Sequence, residues 1–231
     1  MLKSIVQKNR FTSPISESEK KILHSAIKLF LENGYSVTTL KMISEECKMS
    51  QGTITYHFHT KEDMLYILVQ ALMDFHGDVI ENINTEVNDP LVAYAMEVAA
   101  QISICDENEK AWDLYYSAYT HPATFIHIKD WASKKAYWLL KNRLPQWNEA
   151  SFREVENVAS CIELSAFTMQ KSRELTLERK IYLVLNSLMK IYNIPKEDRV
   201  RVIETVLKAD YRKIGQDMFD NLVKKLDDSE K

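Results

Sequence analysis

The 231-residue chain has few of the residues that turn or break a backbone, with only four glycines and five prolines. So little turn chemistry argues against a sheet of many short strands, and abundant Lys, Glu, Leu, Ala and Met point to long helices. Cysteine is scarce as well. Cys47, Cys105 and Cys161 form an odd set with no metal-ligand spacing, each inside a helical pattern, which suits reduced, buried thiols better than a disulfide framework. No apolar run reaches the roughly 18 residues a membrane helix needs, and the first twenty residues lack an apolar core followed by a small-residue cleavage site. A cytoplasmic protein without membrane association is expected. Glycine-rich phosphate loops, nucleophile elbows and HExxH are also missing, which argues against an enzyme. His121, His127 and Cys105 match no recognised ligand set, so neither a metal nor a cofactor is expected.

What is present is a chain 45% hydrophobic, ample for a buried core, with an overall charge of −3 that gives no global sign of nucleic-acid binding. The distribution is more informative. Residues 1–61 hold eight lysines and one arginine against five glutamates, a net of +4, which leaves −7 for the remainder. A basic head on an acidic body is what a DNA reader with a separate effector-binding part would show, because phosphate affinity depends on local cations.

Within that head, residues 38–61 read TTLKMISEECKMSQGTITYHFHTK, two short helical patterns separated by a polar turn. Leu40, Ile43 and Cys47 mark one buried face and Ile54 and Phe58 a second, at the three-to-four residue spacing of amphipathic helices. This predicts a helix-turn-helix. Ser50 is placed to cap the second helix and leave its backbone N–H groups facing an anion, while Gln51, Thr53, Thr55, Tyr56 and His57 project outward. Base edges are read by such polar side chains on a rigid rod, and phosphates are positioned by hydroxyls, amines and helix N-termini.

From Ile22 to Leu65 the sequence resembles the N-terminal DNA-binding domain of the TetR family of bacterial transcriptional regulators. The resemblance rests on Ala26, Leu29 and Phe30, then Gly34-Tyr35, Thr39, Ser50, Gly52, Thr53, His57, Phe58 and Lys61. Two positions depart from the pattern: Lys48 stands where the family usually has glycine, and Thr55 where it usually has tyrosine, with Tyr56 beside it. A left-handed Lys48 would cost about 1–2 kcal/mol. The resemblance implies Thr39, Lys41, Ser50, Gln51, Thr53, Tyr56, His57 and Lys61 as DNA-binding residues.

The expected architecture is all-α: a flexible basic arm over 1–15, a three-helix DNA-binding domain over 16–63, and a helical effector-binding and dimerisation domain over 64–231. Ser16 with Glu19 forms a capping-box pattern for the first helix, Gly34 is its stop, and Thr60 with Asp63 caps a fourth helix running from Lys61 into the low 80s. That helix is the rod joining head to body. Asp89-Pro90, His121-Pro122, Pro145, Thr176 and Pro195 then punctuate seven further helices near 90–105, 108–120, 122–143, 150–172, 176–193, 196–210 and 211–227.

Trp112, Tyr115, Tyr116 and Tyr119 recur on one helix face, and Trp131 and Trp138 on the next. Facing aromatic stripes of this kind either fill a core or line a cavity for a drug-sized apolar or cationic molecule, and the TetR resemblance implies an effector pocket here. Later apolar series, Val155, Val158, Ile162, Ala166 and Met169, then Ile181, Leu185, Leu188 and Tyr192, fit either intrachain core or the seam of a homodimer. The resemblance implies a homodimeric repressor on a near-palindromic double-stranded operator, released by a small-molecule effector. The alternative is a helical protein-interaction module that keeps the head fold, with DNA binding secondary or absent.

Overall fold

Local capping decides where most helices begin. The Ser16 hydroxyl accepts from the Glu19 N–H while the Glu19 carboxylate accepts from the Ser16 N–H, and Thr60 with Asp63 repeats the arrangement. Asp89 accepts from the N–H groups of Leu91 and Val92 with Pro90 in the first helical position, and Asn108 closes one helix and caps the next. The computed structural model describes residues 16–169 and 175–227, so the arm expected over 1–15 lies outside the described residues.

Among the described residues there are eleven helices and no strand: α1 (Glu17–Asn33), α2 (Leu40–Cys47), α3 (Gln51–His57), α4 (Lys61–Val87), α5 (Pro90–Glu107), α6 (Glu109–Thr120), α7 (Pro122–Leu140), α8 (Glu149–Thr168), α9 (Leu177–Ile191), α10 (Lys196–Lys208) and α11 (Tyr211–Asp227). No described helix is long and apolar enough to cross a membrane. The fold is all-α, a helix-turn-helix head on a larger helical body.

In the head, α1 covers α2 and α3 through Leu23, Ala26, Phe30, Ile43, Cys47, Ile54 and Phe58, all buried. Met64 and Leu65 extend this core into α4, and one continuous apolar core runs on into the body. At 1.5 Å per residue α4 spans about 40 Å, a full turn longer than its sequence pattern indicates. In the body α5 is the central helix, buried from Leu91 to Cys105 and in contact with α4, α6, α7, α8, α9, α10 and α11. Gly215 lets α11 cross α5 closely, since a Cβ there would stand 2.5 Å from the Ala100 carbonyl.

The two late apolar series separate, and one of the three thiols expected to be buried is not. On α8 the buried face is Phe152, Glu156, Ala159, Ser160, Glu163 and Ala166, while Val155 and Ile162 are half-buried against the core and Val158 is 54% exposed. Ile181, Leu185, Leu188 and Tyr192, in contrast, are wholly buried in this chain's own core. Cys161 is exposed, unlike Cys47 and Cys105.

Candidate DNA-reading head and effector interior

The turn between α2 and α3 carries the departure noted at Lys48. Its backbone is left-handed (φ 55°, ψ 41°), and its N–H returns to the carbonyls of Ser44 and Glu45 to end α2. Beyond the turn, Ser50 caps α3: its Oγ accepts from the Thr53 N–H at 3.1 Å and shares a 2.9 Å hydrogen bond with the Thr53 hydroxyl. Thr39 caps α2 in the same way.

With Ile54 and Phe58 buried, the opposite face of α3 presents Gln51 and Tyr56, the latter 80% exposed despite its large ring. An aromatic so exposed on a seven-residue helix leaves apolar area uncovered, which a partner surface would cover. Thr55 is exposed but donates back to the Gln51 carbonyl at 3.1 Å, so its hydroxyl hydrogen is already used. His57 turns from this face toward Glu19, with Nδ1 at 3.4 Å from the carboxylate, and ties α3 to the start of α1.

Lys41 stands exposed near Glu45 at 3.9 Å. Lys61 is placed differently. Its ammonium donates to the carbonyls of Tyr35 (2.9 Å) and Thr38 (3.0 Å) and lies 4.1 Å from the Tyr35 ring centroid, clasping the α1–α2 turn to the start of α4. Burial holds it below the ordinary lysine value, partly offset by Glu62 and Asp113.

That same turn is held from the body. Asp113 on α6 accepts from the Ser36 N–H at 2.7 Å and from the Ser36 hydroxyl. Gly34 has φ 104°, and a Cβ there would meet the Asp113 carboxylate at 3.0 Å. Glycine thus permits both the turn and the approach of α6.

The aromatic segment divides into an inner and an outer set. Tyr115 and Tyr119 are buried, and the Tyr115 hydroxyl lies 2.6 Å from His76 Nε2. The Tyr119 hydroxyl donates to Glu163 at 2.8 Å and accepts from Gln101 at 3.4 Å. Trp112 and Tyr116 stack with centroids 5.0 Å apart at the outer edge of α6, where the Trp112 indole donates to the Phe167 carbonyl at 2.8 Å. Trp131 meets the His76 ring edge-on, whereas Trp138 is 49% exposed and does not join the others.

Sequence reasoning missed the polar interior beneath these rings. His76 Nδ1 lies 2.5 Å from Glu97, whose other oxygen accepts from Lys135 at 3.1 Å. The two ring nitrogens of His76 thus bridge Glu97 and Tyr115. Glu156 accepts from Ser160 (3.0 Å) and Tyr192 (2.5 Å). Burial pushes Glu97 up, but Lys135 and His76 outweigh it and hold the carboxyl at about 2. Burial pushes Glu163 up to about 7, with Glu156 and Glu97 adding to it against Lys135 and Tyr119; Glu156 is also raised, chiefly by burial. Their seven-residue spacing puts Glu156 and Glu163 on one face of α8, but spacing alone does not say that this face turns inward.

Exposed polar side chains on a capped second helix, on a rod entering an all-α body with a polar interior, define a helix-turn-helix protein of the bacterial regulator type. Residues 22–66 match the family model for bacterial regulatory proteins, tetR family. The head over residues 22–66 is thus similar to that of the tetR family, and the chain as a whole shares its fold with the solved structures below.

Its relatives include the uncharacterised HTH-type transcriptional regulator YuxN of Bacillus subtilis (strain 168), 34% identical over 84 residues, or 36% of this chain and 29% of YuxN. HbdR of Aromatoleum sp. (strain CIB) is 29% identical over 102 residues, 44% of each chain. The chain therefore matches less than half the length of either relative. Among solved structures, RolR in complex with resorcinol superposes with a TM-score of 0.63 at 14% identity, covering 81% of this chain and 93% of RolR. Thermus thermophilus FadR in complex with lauroyl-CoA gives 0.56 at 16% identity, covering 77% and 96%. At such identities these two share the fold.

Proposed function

We propose that the chain is a transcriptional repressor that binds a near-palindromic operator as a homodimer and is released by a small-molecule effector. The observation that carries this reading is the face of α3. Gln51 and Tyr56 stand exposed on a helix rigidly capped by Ser50, within the residues that match the tetR family. Residues 16–63 read DNA, with Lys41 and the capped N-termini on phosphate and Gln51, Thr53 and Tyr56 toward base edges. Residues 64–231 bind effector and partner. Val158, exposed on α8 with Val155 and Ile162 half-buried beside it, marks the apolar seam, and two-fold pairing presents two heads to the two halves of the operator.

The effector acts by population shift, binding more tightly to the arrangement in which the heads are misplaced. α6 is suited to carry that shift. Its Tyr119 and Tyr115 reach the polar interior and α4, while its Asp113 holds the turn of the head. The complexes of RolR with resorcinol and of the repressor FadR with lauroyl-CoA support an effector here by likeness of fold alone. The test is a gel shift of the purified protein on fragments flanking its own gene. Retardation of one fragment at concentrations that leave unrelated DNA free is the expected result, and equal binding to all DNA, or none, contradicts it.

A further inference from the structure

The hydrogen bonds that α3 makes within the protein narrow which of its seven residues are free to read bases. Ile54 is buried. The Thr53 hydroxyl is shared with Ser50 at 2.9 Å, the Thr55 hydroxyl donates back to the Gln51 carbonyl, and His57 is turned to Glu19. Two side chains remain. Gln51 and Tyr56 are exposed, and neither the Gln51 amide nor the Tyr56 hydroxyl has a hydrogen-bond partner among the described residues. The helix carries no lysine or arginine, the side chains that most often read guanine. An independent feature lies between the two free side chains on the exposed face. Gly52 is helical, and a Cβ there would meet nothing nearer than the Ser50 Oγ at 3.7 Å, an ordinary contact. Glycine inside a helix is less stable than alanine, so the packing of this chain gives no reason for it. A surface that comes close to the helix backbone from outside does.

We propose that each operator half-site carries an adenine read by the Gln51 amide and a thymine whose methyl group packs on the Tyr56 ring, with Gly52 letting the helix backbone approach the groove floor between them. This deepens the operator reading above, narrows its base-reading residues to two, and rests on it. A primary amide offers one donor and one acceptor side by side, which matches N7 and N6 of adenine; guanine presents two acceptors at that edge and leaves the amide oxygen without a partner. The Tyr56 ring, 80% exposed, is an apolar surface that the chain leaves uncovered, and the thymine methyl is the apolar group that base pairs present in the major groove. Five residues at about 1.5 Å each separate the two side chains by about 7.5 Å along the helix, against about 3.4 Å per base-pair step, so both contacts fall within about three base pairs.

The experiment begins with selection by the full chain from a random duplex pool, which supplies the half-site. Anisotropy titrations at low salt then use synthetic duplexes in which one adenine of each half-site is replaced by 7-deazaadenine, which lacks only the N7 acceptor, or one thymine by uracil, which lacks only the methyl. Replacing one particular adenine is expected to weaken binding of the parent about ten-fold or more, and replacing one particular thymine several-fold. Gln51→Ala should be indifferent to the first replacement and Tyr56→Ala to the second, while each still senses the other. Gly52→Ala should keep or raise the melting temperature and yet weaken binding to the selected site about ten-fold or more, a combination that a merely structural glycine would not give. A selected half-site in which either replacement is without effect, effects that persist in the matching alanine variant, or a Gly52→Ala protein that binds like the parent overturns the proposal and leaves the operator reading in place. A pool that yields no preferred sequence removes the operator reading itself, and the proposal with it.

Discussion

At Lys48 the structure stores a small, removable strain. A side chain in the left-handed region costs about 1–2 kcal/mol, and the residue ends α2 through its backbone N–H, which glycine supplies equally well. Lys48→Gly should therefore raise stability by about 1 kcal/mol in denaturant unfolding, less than the full strain because glycine adds freedom to the unfolded chain. An unchanged or lower midpoint would show that the lysine side chain contributes something the backbone does not. On the reading face, Gln51→Ala and Tyr56→Ala should each cost about 1–3 kcal/mol of operator discrimination, while Lys41→Ala weakens all DNA alike. Lys61→Ala should instead lower the melting temperature of the head, because it removes the clasp on Tyr35 and Thr38. Competition assays with operator and random DNA, run beside thermal melts, separate the three; parallel losses on both DNAs for Gln51 and Tyr56 would contradict base reading.

Among the elements, helix ends were legible because their causes are local. Ser16 with Glu19, Thr60 with Asp63, and the prolines at 90 and 122 act within one turn, so sequence and structure agree there to within a few residues. The phase of α8 was not legible. The apolar series Val155, Val158 and Ile162 fits either core or seam by its spacing, while the buried face carries Glu156 and Glu163, satisfied by Ser160 on α8 itself, by Tyr192 just past α9 and by Tyr119 on α6. The aromatic stripe on α6 shows the same limit: spacing indicates which residues share a face, not that Tyr115 and Tyr119 are tied to buried polar groups while Trp112 and Tyr116 stack outside. The outward turn of Val158 gives a direct test of the dimer. Val158→Glu places a charge in the proposed seam, and sedimentation should show a folded monomer where the parent is a dimer; an unchanged dimer would place the seam elsewhere.

Across the whole molecule, the buried acids make stability depend on pH in two opposite ways. Glu97, held at about 2, contributes stability that is present above its unfolded value of 4.5 and is lost as pH falls toward 2. Glu163, raised from 4.5 to about 7, binds its proton more tightly in the folded state, so stability falls as pH rises between those values, by on the order of 3 kcal/mol. Chemical denaturation of the unliganded protein should show a decline from about pH 5 to pH 7 that Glu163→Gln removes. A flat profile in the parent would show that Glu163 is not held as described.

The head and body meet in a single claim, that this molecule reads DNA through charge and shape at α3. Fluorescence anisotropy on the fragment flanking its own gene, titrated over salt, tests it most directly. With six to ten phosphate contacts per dimer, affinity should fall by about 10³–10⁵ between 50 and 200 mM salt while the preference over random DNA persists. An affinity nearly flat in salt, or one with no preference for any fragment, would contradict the account.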